Sequence, residues 1–390
     1  MELTAIALFV VAGLASMFMA WVIGAGSSGA TPFAPAVGAN AIPTMRAAFF
    51  VGIFGFVGAV TQGGSVSEAI GTGLVDGVSL PVVGIIVVLL IGASLMAVGI
   101  ATGYPIATAF TVTGSVVGVG LALGGDPAWA KYAEIGAVWV LTPVVGGGIA
   151  YAIASVLPRE DVPEAVSIPI LAGVVGAVVA NLEFAALSSV GGTLAAAAAA
   201  SVSVDGAAAT TAISVGLGTV TAAVVRWDVS RDQVGGLRRF LLSLGALVAF
   251  SAGASQVGLA VGPLFPLLGE LSVVSPVVIL FGGGVGILVG SWTGAPRMIK
   301  SISREYASLG PRRSISTLVP SFLIAQTAVL LGVPVSFNEI IVSAIIGSGA
   351  AVAGGNGLSP RKIGVTVLAW IGSFVLAFAL GYGAMLLAGF

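Results

Sequence analysis

Twelve stretches of this chain are apolar for the length, or nearly the length, of a lipid bilayer, and few folds can accommodate that. They cover about 3–24, 44–63, 81–101, 105–124, 133–157, 167–190 and 207–225, then 237–268, 273–295, 315–332, 336–353 and 363–388. A helix of roughly 20 apolar residues crosses the ~30 Å hydrocarbon layer. A water-soluble fold of this size needs a charged surface, yet only 7% of the residues are charged and 58% are hydrophobic. The chain therefore reads as an all-α integral membrane protein of about twelve transmembrane segments, multi-pass in the cell membrane. Glycine, 58 of 390 residues, suits helices that must approach closely where apolar burial no longer separates protein from lipid. Met1 to Phe9 carry Glu2 and no basic residue, which predicts a retained first span rather than a cleaved leader.

The basic residues orient these spans. With the N-terminus outside, the inner connections hold Arg46, Arg159, Arg226, Arg231, Arg238, Arg239, Arg297, Lys300, Arg304, Arg312, Arg313, Arg361 and Lys362. That is 13 of the 14 Lys and Arg, leaving Lys131 outside, as the positive-inside rule requires. Seven spans precede the basic connection 226–239, and an odd number starts the second half from the opposite side. The expected organisation is a first transmembrane half (1–225), a basic cytoplasmic connection (226–239) and a second transmembrane half (240–390), each half carrying one inverted-topology repeat. The basic stretches 226–239 and 297–313 read first as topology determinants, with lipid headgroup binding as the alternative.

Two segments occur once in each half. Trp21–Ser27 is echoed by Phe250–Gln256, and Gly103-Tyr104-Pro105-Ile106-Ala107 by Gly332-Val333-Pro334-Val335-Ser336, both at an offset of 229 residues. A helix break in hydrocarbon frees backbone groups that cost several kcal/mol each unless protein, water or ligand meets them. Freed N–H groups at a helix start suit an oxyanion, and freed carbonyls suit a small cation. Breaks, and hence broken or re-entrant helices, are expected at 24–31, 103–113, 253–262 and 332–343. The Gly-, Pro- and Ser-rich piece 24–46 reads as an extramembrane loop or a re-entrant segment.

The polar side chains at these breaks are the candidate anion-binding set: Ser27, Ser28 and Thr31; Thr108 and Thr111; Ser255 and Gln256; Ser336 and Asn338. Any one hydroxyl in a helix can instead bond back to the preceding turn; it is their clustering that favours a ligand. Unpaired carboxylates at membrane depth are expensive, which marks Glu68 and Glu339, and then Glu183, as candidates for coordinating a coupling cation or relaying a proton.

Histidine and cysteine are absent. That removes thiolate and imidazole metal ligands, disulfides, and catalysis by either residue. No Gly-rich segment ending in Gly-Lys-Ser/Thr is present, so an ion gradient or a partner must supply any driving force. No nucleophile–base arrangement points to an enzyme, nothing points to nucleic acid, and no cofactor is expected beyond a sodium ion or proton as coupling ion.

These motifs resemble the inorganic phosphate transporter (PiT) family. Gly24-Ala25-Gly26-Ser27 and Gly253-Ala254-Ser255-Gln256 fall on the two copies of its Gly-Ala-Asn-Asp signature. Gly103 to Phe110 and Gly332 to Glu339 match its paired Gly-x-Pro-Val-Ser-Thr-Thr-His signature, and Val66–Ile70 with Gly73–Asp76 resembles its Val-Thr/Ser-Glu-Thr-Ile segment. Both Asn-Asp pairs have lost their carboxylate, and Phe110 and Glu339 stand where the family has histidine. The resemblance implies two inverted repeats, sodium- or proton-coupled symport of inorganic phosphate, and a homodimer in membrane lipid. Loss of two carboxylates should weaken or relocate a sodium site, since a hard cation wants charged oxygen. Sulfate or another oxyanion, a passive anion channel and a noncatalytic scaffold stay open as alternatives.

Overall fold

The computed structural model describes residues 3–158, 163–201, 206–269, 275–353 and 358–389; Arg159 lies outside them. The first half forms α1 (Leu3–Gly26), α2 (Ala34–Gly38), α3 (Thr44–Gln62), α4 (Gly64–Thr72), β1 (Val75–Asp76), α5 (Val82–Thr102), α6 (Thr108–Ala122), β2 (Asp126–Pro127), α7 (Trp129–Val156), α8 (Glu164–Ala180), α9 (Leu194–Ser201) and α10 (Ala207–Arg231). The second forms α11 (Gln233–Val261), α12 (Pro276–Thr293), α13 (Ala295–Glu305), α14 (Pro311–Leu330), α15 (Phe337–Ala353) and α16 (Pro360–Leu387). Every apolar stretch of the sequence overlies one of the longer helices. Among the described residues, nine helices are long and apolar enough to cross a membrane, while α6, α8 and α15 are apolar but shorter.

Helix ends follow local chemistry. Pro276, Pro311 and Pro360 open their helices, where a missing N–H costs nothing. The stretch 167–190 does not run as one helix. α8 stops at Ala180, where the Asn181 amide donates to the Ala177 carbonyl and to Ser214 Oγ, both at 2.8 Å, and a 3₁₀ turn follows at Ala185–Val190. The connection 226–239 is a tight corner between α10 and α11. Asp232 accepts the Gly235 N–H at 2.9 Å, and Arg239 bridges back to Asp228 at 2.7 Å.

The two ends of the bundle differ in charge. One end is closed by the antiparallel pair β1–β2, with Tyr132 Oη donating to the Leu74 carbonyl and Lys131 paired to Glu134. The other end gathers Arg238 on the Ala41 carbonyl, Arg312 on Glu164, and Lys362 on Glu305.

The halves are interleaved. α1 packs on α12 and α11 on α3; α6 packs on α16 and α15 on α7. The repeated glycines permit this. A methyl group at Gly24 would lie 2.2 Å from the Ile287 carbonyl oxygen, and one at Gly253 would lie 1.8 Å from that of Gly55. Both distances are far inside contact, so only glycine lets these backbones touch.

Candidate functional site

Three of the four expected breaks interrupt a helix. Gly103 caps α5 with φ 77° and Gly332 follows α14 with φ 61°, the left-handed conformation that glycine adopts at little cost. Each is followed by x-Pro, which cannot continue a helix, and α6 and α15 begin only after a short extended run. α1 ends at Gly26, and the segment beyond it is buried within the protein: Ser27, Ser28, Thr31 and Ala34 are fully covered. The third expectation fails. α11 runs unbroken through Phe250–Gln256 and stops only at Val261, because Gly253 serves close packing on α3 and the first proline after it is Pro263.

The remaining breaks converge with α11 on one buried centre. Ser27 Oγ donates to Gln256 Oε1 at 3.0 Å, and Gln256 Nε2 donates to the Val335 carbonyl at 2.6 Å. Asn338 Nδ2 donates to the carbonyls of Gly26 at 3.1 Å and Ile106 at 2.6 Å. Four segments remote in sequence are thus tied together by two amides. Ser255, Ser336 and Asn338 are also fully buried, and Ser255 Oγ, Ser336 Oγ and Asn338 Oδ1 have no hydrogen-bond partner among the described residues. Buried polar atoms are nearly always satisfied, so these three unpartnered atoms are the candidates for contact with a ligand. The Asn338–Ile106 bond also brings the starts of α6 and α15 together. First-turn N–H groups lack intrahelical partners and carry partial positive charge. Two helix N-termini with two free hydroxyls can hold an oxyanion; the amide oxygens and freed carbonyls can hold a small cation.

The other sequence candidates are placed differently. Ser28 bonds back to Ile23 at 3.5 Å, Thr31 to Ser27 at 3.1 Å and Thr111 to Thr108 at 2.8 Å, each within its own turn. Thr108 Oγ1 lies 3.5 Å from Met96 Sδ. Glu68 and Glu183 are exposed on this chain, away from the centre, and Glu183 contributes only its carbonyl, to Gln62 Nε2. Glu339 is 2% exposed with one carboxylate oxygen unpartnered. It borders an apolar cavity of about 580 Å³ lined also by Phe110, Trp139 and Trp370. Phe110 stacks on Trp139 with ring centroids 3.8 Å apart, so the two positions read as histidine replacements line one cavity.

Sequence reading missed two pairs. Trp139 Nε1 donates to the Pro334 carbonyl at 3.1 Å and Trp370 Nε1 to the Pro105 carbonyl at 2.7 Å; each tryptophan holds the break of the other half. An indole in an apolar stretch looks like any lipid-facing aromatic, so no sequence signal set these two apart. Gln326 donates to Ser251 Oγ at 2.7 Å and approaches Gln62 at 3.4 Å; amides inside apolar stretches were the available signal. Among the described residues, no three acidic side chains gather into a metal site.

A profile described as the phosphate transporter family matches residues 10–381. A candidate phosphate permease of Pyrococcus furiosus is 28% identical, over 85% of this chain and 85% of its own. The inorganic phosphate transporter 2-1, chloroplastic, of Arabidopsis thaliana is 24% identical, over 92% of this chain and 68% of its own. A solved structure described as the sodium-dependent phosphate transporter superposes with a TM-score of 0.79, covering 98% of this chain and 99% of its own at 22% identity, which shows a shared fold.

Proposed function

The chain belongs to the phosphate transporter family, and from that premise we propose that it carries inorganic phosphate across the cell membrane by cation-coupled symport. The observation that supports this reading best is the buried centre where the starts of α6 and α15 meet beside the unpartnered hydroxyls of Ser255 and Ser336. In this reading the helix-start N–H groups and the two hydroxyls receive the phosphate oxygens, because they are donors fixed before the anion arrives. Ser27, Gln256 and Asn338 hold the surrounding segments in register. Ser28, Thr31, Thr108 and Thr111 shape the walls.

The coupling ion is assigned to oxygen ligands of the same region, with Glu339 as the carboxylate that binds or relays it. A buried carboxylate without a partner is costly at membrane depth, and a cation or a proton removes that cost. The sodium dependence in the name of the structural neighbour supports sodium as the first ion to test. The repeats are read as inverted, with the N-terminus outside and two copies of the chain forming a homodimer. Access alternates as one interleaved helix group moves against the other.

Radiolabelled phosphate uptake into proteoliposomes, with sodium and proton gradients set independently and sulfate as competitor, tests this. Concentrative uptake that collapses with one of the two gradients is expected. Uptake indifferent to both gradients defeats coupling; uptake solely down the phosphate gradient marks a passive channel; and preferential block by sulfate reassigns the substrate. Glu339→Gln should reduce ion dependence more than phosphate affinity.

A further inference from the structure

We propose that α13 forms a pocket for the phosphate headgroup of an anionic membrane lipid, at the edge of the Gly103 break. The helix is sharply two-faced. Ala295, Met298, Ile299 and Ile302 are buried, whereas Arg297, Lys300 and Arg304, spaced three and four apart, form one exposed stripe. That stripe, with Thr102, Gly103 and Ser301, lines a cavity of about 590 Å³. None of the three basic side chains pairs with an acid among the described residues. Glu305, the one carboxylate at the rim, is held by Lys362 at 2.7 Å. Three uncompensated cations around a concavity are an anion site.

The surroundings select a lipid as the source of that anion. Trp292 ends α12 just before α13, is 41% exposed, stacks on Phe49 with centroids 5.4 Å apart, and donates its indole N–H to the Phe49 carbonyl. Phe49 and Phe50 are exposed beside it. Such an aromatic girdle sits at the membrane–water boundary and sets α13 at headgroup depth, where an amphipathic helix with a basic face meets anionic lipid. Charges that only fix topology need no cavity. The pocket also adjoins the Gly103 break: Ser301 Oγ donates to the Gly103 carbonyl at 2.8 Å and Lys362 Nζ reaches the same oxygen at 3.2 Å. A headgroup seated here therefore lies against the contacts that hold this break.

The test is a binding measurement, independent of whether the protein transports. The full chain in neutral detergent is titrated calorimetrically with short-chain phosphatidylglycerol, short-chain phosphatidylcholine or inorganic phosphate. The comparison is with the triple variant Arg297→Gln, Lys300→Gln, Arg304→Gln and with the single variant Lys300→Gln. A charge-matched control carries Arg226→Gln, Arg231→Gln and Arg361→Gln. Phosphatidylglycerol should bind the wild type at least about tenfold more tightly than the triple variant, in line with the loss of three basic contacts, and several-fold more tightly than Lys300→Gln. Raised salt should weaken it. Phosphatidylcholine should bind none of them, and the control should behave as wild type. Equal binding by wild type and both α13 variants, equal binding of the zwitterionic lipid, or equal loss in the control each overturns the proposal. Displacement of the lipid by inorganic phosphate at equal concentration reassigns the pocket to free anions and overturns the lipid assignment.

Discussion

Ser27 and Gln256 occupy equivalent places in two copies of one segment, and they touch at 3.0 Å. Gln256 also spends its amide N–H on Val335, so its truncation leaves buried groups unpaired on both sides, at about 1–3 kcal/mol each. Gln256→Ala should raise the KM for phosphate about tenfold or more in proteoliposome uptake. Ser28→Ala removes a hydroxyl that bonds weakly to its own turn and should change KM less than about twofold, since only a local contact is lost. Equal effects would place the binding centre elsewhere. The glycines separate two further causes. Gly332→Ala forces a side chain into φ 61°, a cost of about 1–2 kcal/mol. Gly253→Ala would set a methyl group 1.8 Å from the Gly55 carbonyl oxygen, must push the two backbones apart, and should cost about 1–3 kcal/mol or more. Gly148, with nothing within 4 Å, should accept alanine without loss. Thermal unfolding in detergent should rank the three variants accordingly. The polar residues of the centre were legible in the sequence as types. Which of them are free was not, because a hydroxyl's partner depends on whether its own preceding turn or a remote segment lies nearer.

The long helices were legible because nothing but an apolar helix or a closed barrel crosses lipid, so each apolar stretch had one structural outcome. Short elements escaped. α13 carries buried residues at helical spacing, yet its charges made 297–313 look like a plain connection. The expected break in α11 illustrates the converse: glycine without a following proline permits close approach and does not end a helix. Gly-x-Pro does, and in both halves the freed proline carbonyl is met by an indole from the other half. Trp370→Phe keeps an aromatic ring but removes the indole N–H and leaves the Pro105 carbonyl without its 2.7 Å donor, and Trp139→Phe does the same to Pro334. Each should lower unfolding stability by about 1–3 kcal/mol and slow phosphate exchange, because a break that is no longer held samples unproductive positions. Full exchange rates in both variants would reduce these tryptophans to packing.

At the scale of the molecule, the offset of 229 residues predicted two copies of one unit, and in the fold the two halves of the chain are interleaved. The first helix of each half packs on the second half's α12 or the first half's α3, and the paired helices after the breaks are exchanged likewise. No sequence pattern announces this, since lipid-facing and helix-facing glycine and alanine look alike until a partner backbone is in place. Interleaving has a consequence for assembly. Each half, alone, exposes the glycine faces at Gly24 or Gly253 and leaves its break carbonyls without the opposite tryptophan, so neither can complete its buried centre. Separate expression of 1–232 and 233–390, divided at the Asp232 corner, should give polypeptides that aggregate or are degraded in the membrane. Co-expression should recover a stable pair, because the bonds at the cut among Asp228, Asp232, Gly235 and Arg239 are local, while Gln233 on Glu164 and Arg238 on Ala41 still join the two pieces. Co-purification of the two pieces through a tag on one of them, followed by phosphate uptake after reconstitution, reads the outcome. A first half that is monodisperse and heat-stable without its partner would show that each repeat folds as its own unit, against the exchanged packing of α1 on α12 and α11 on α3.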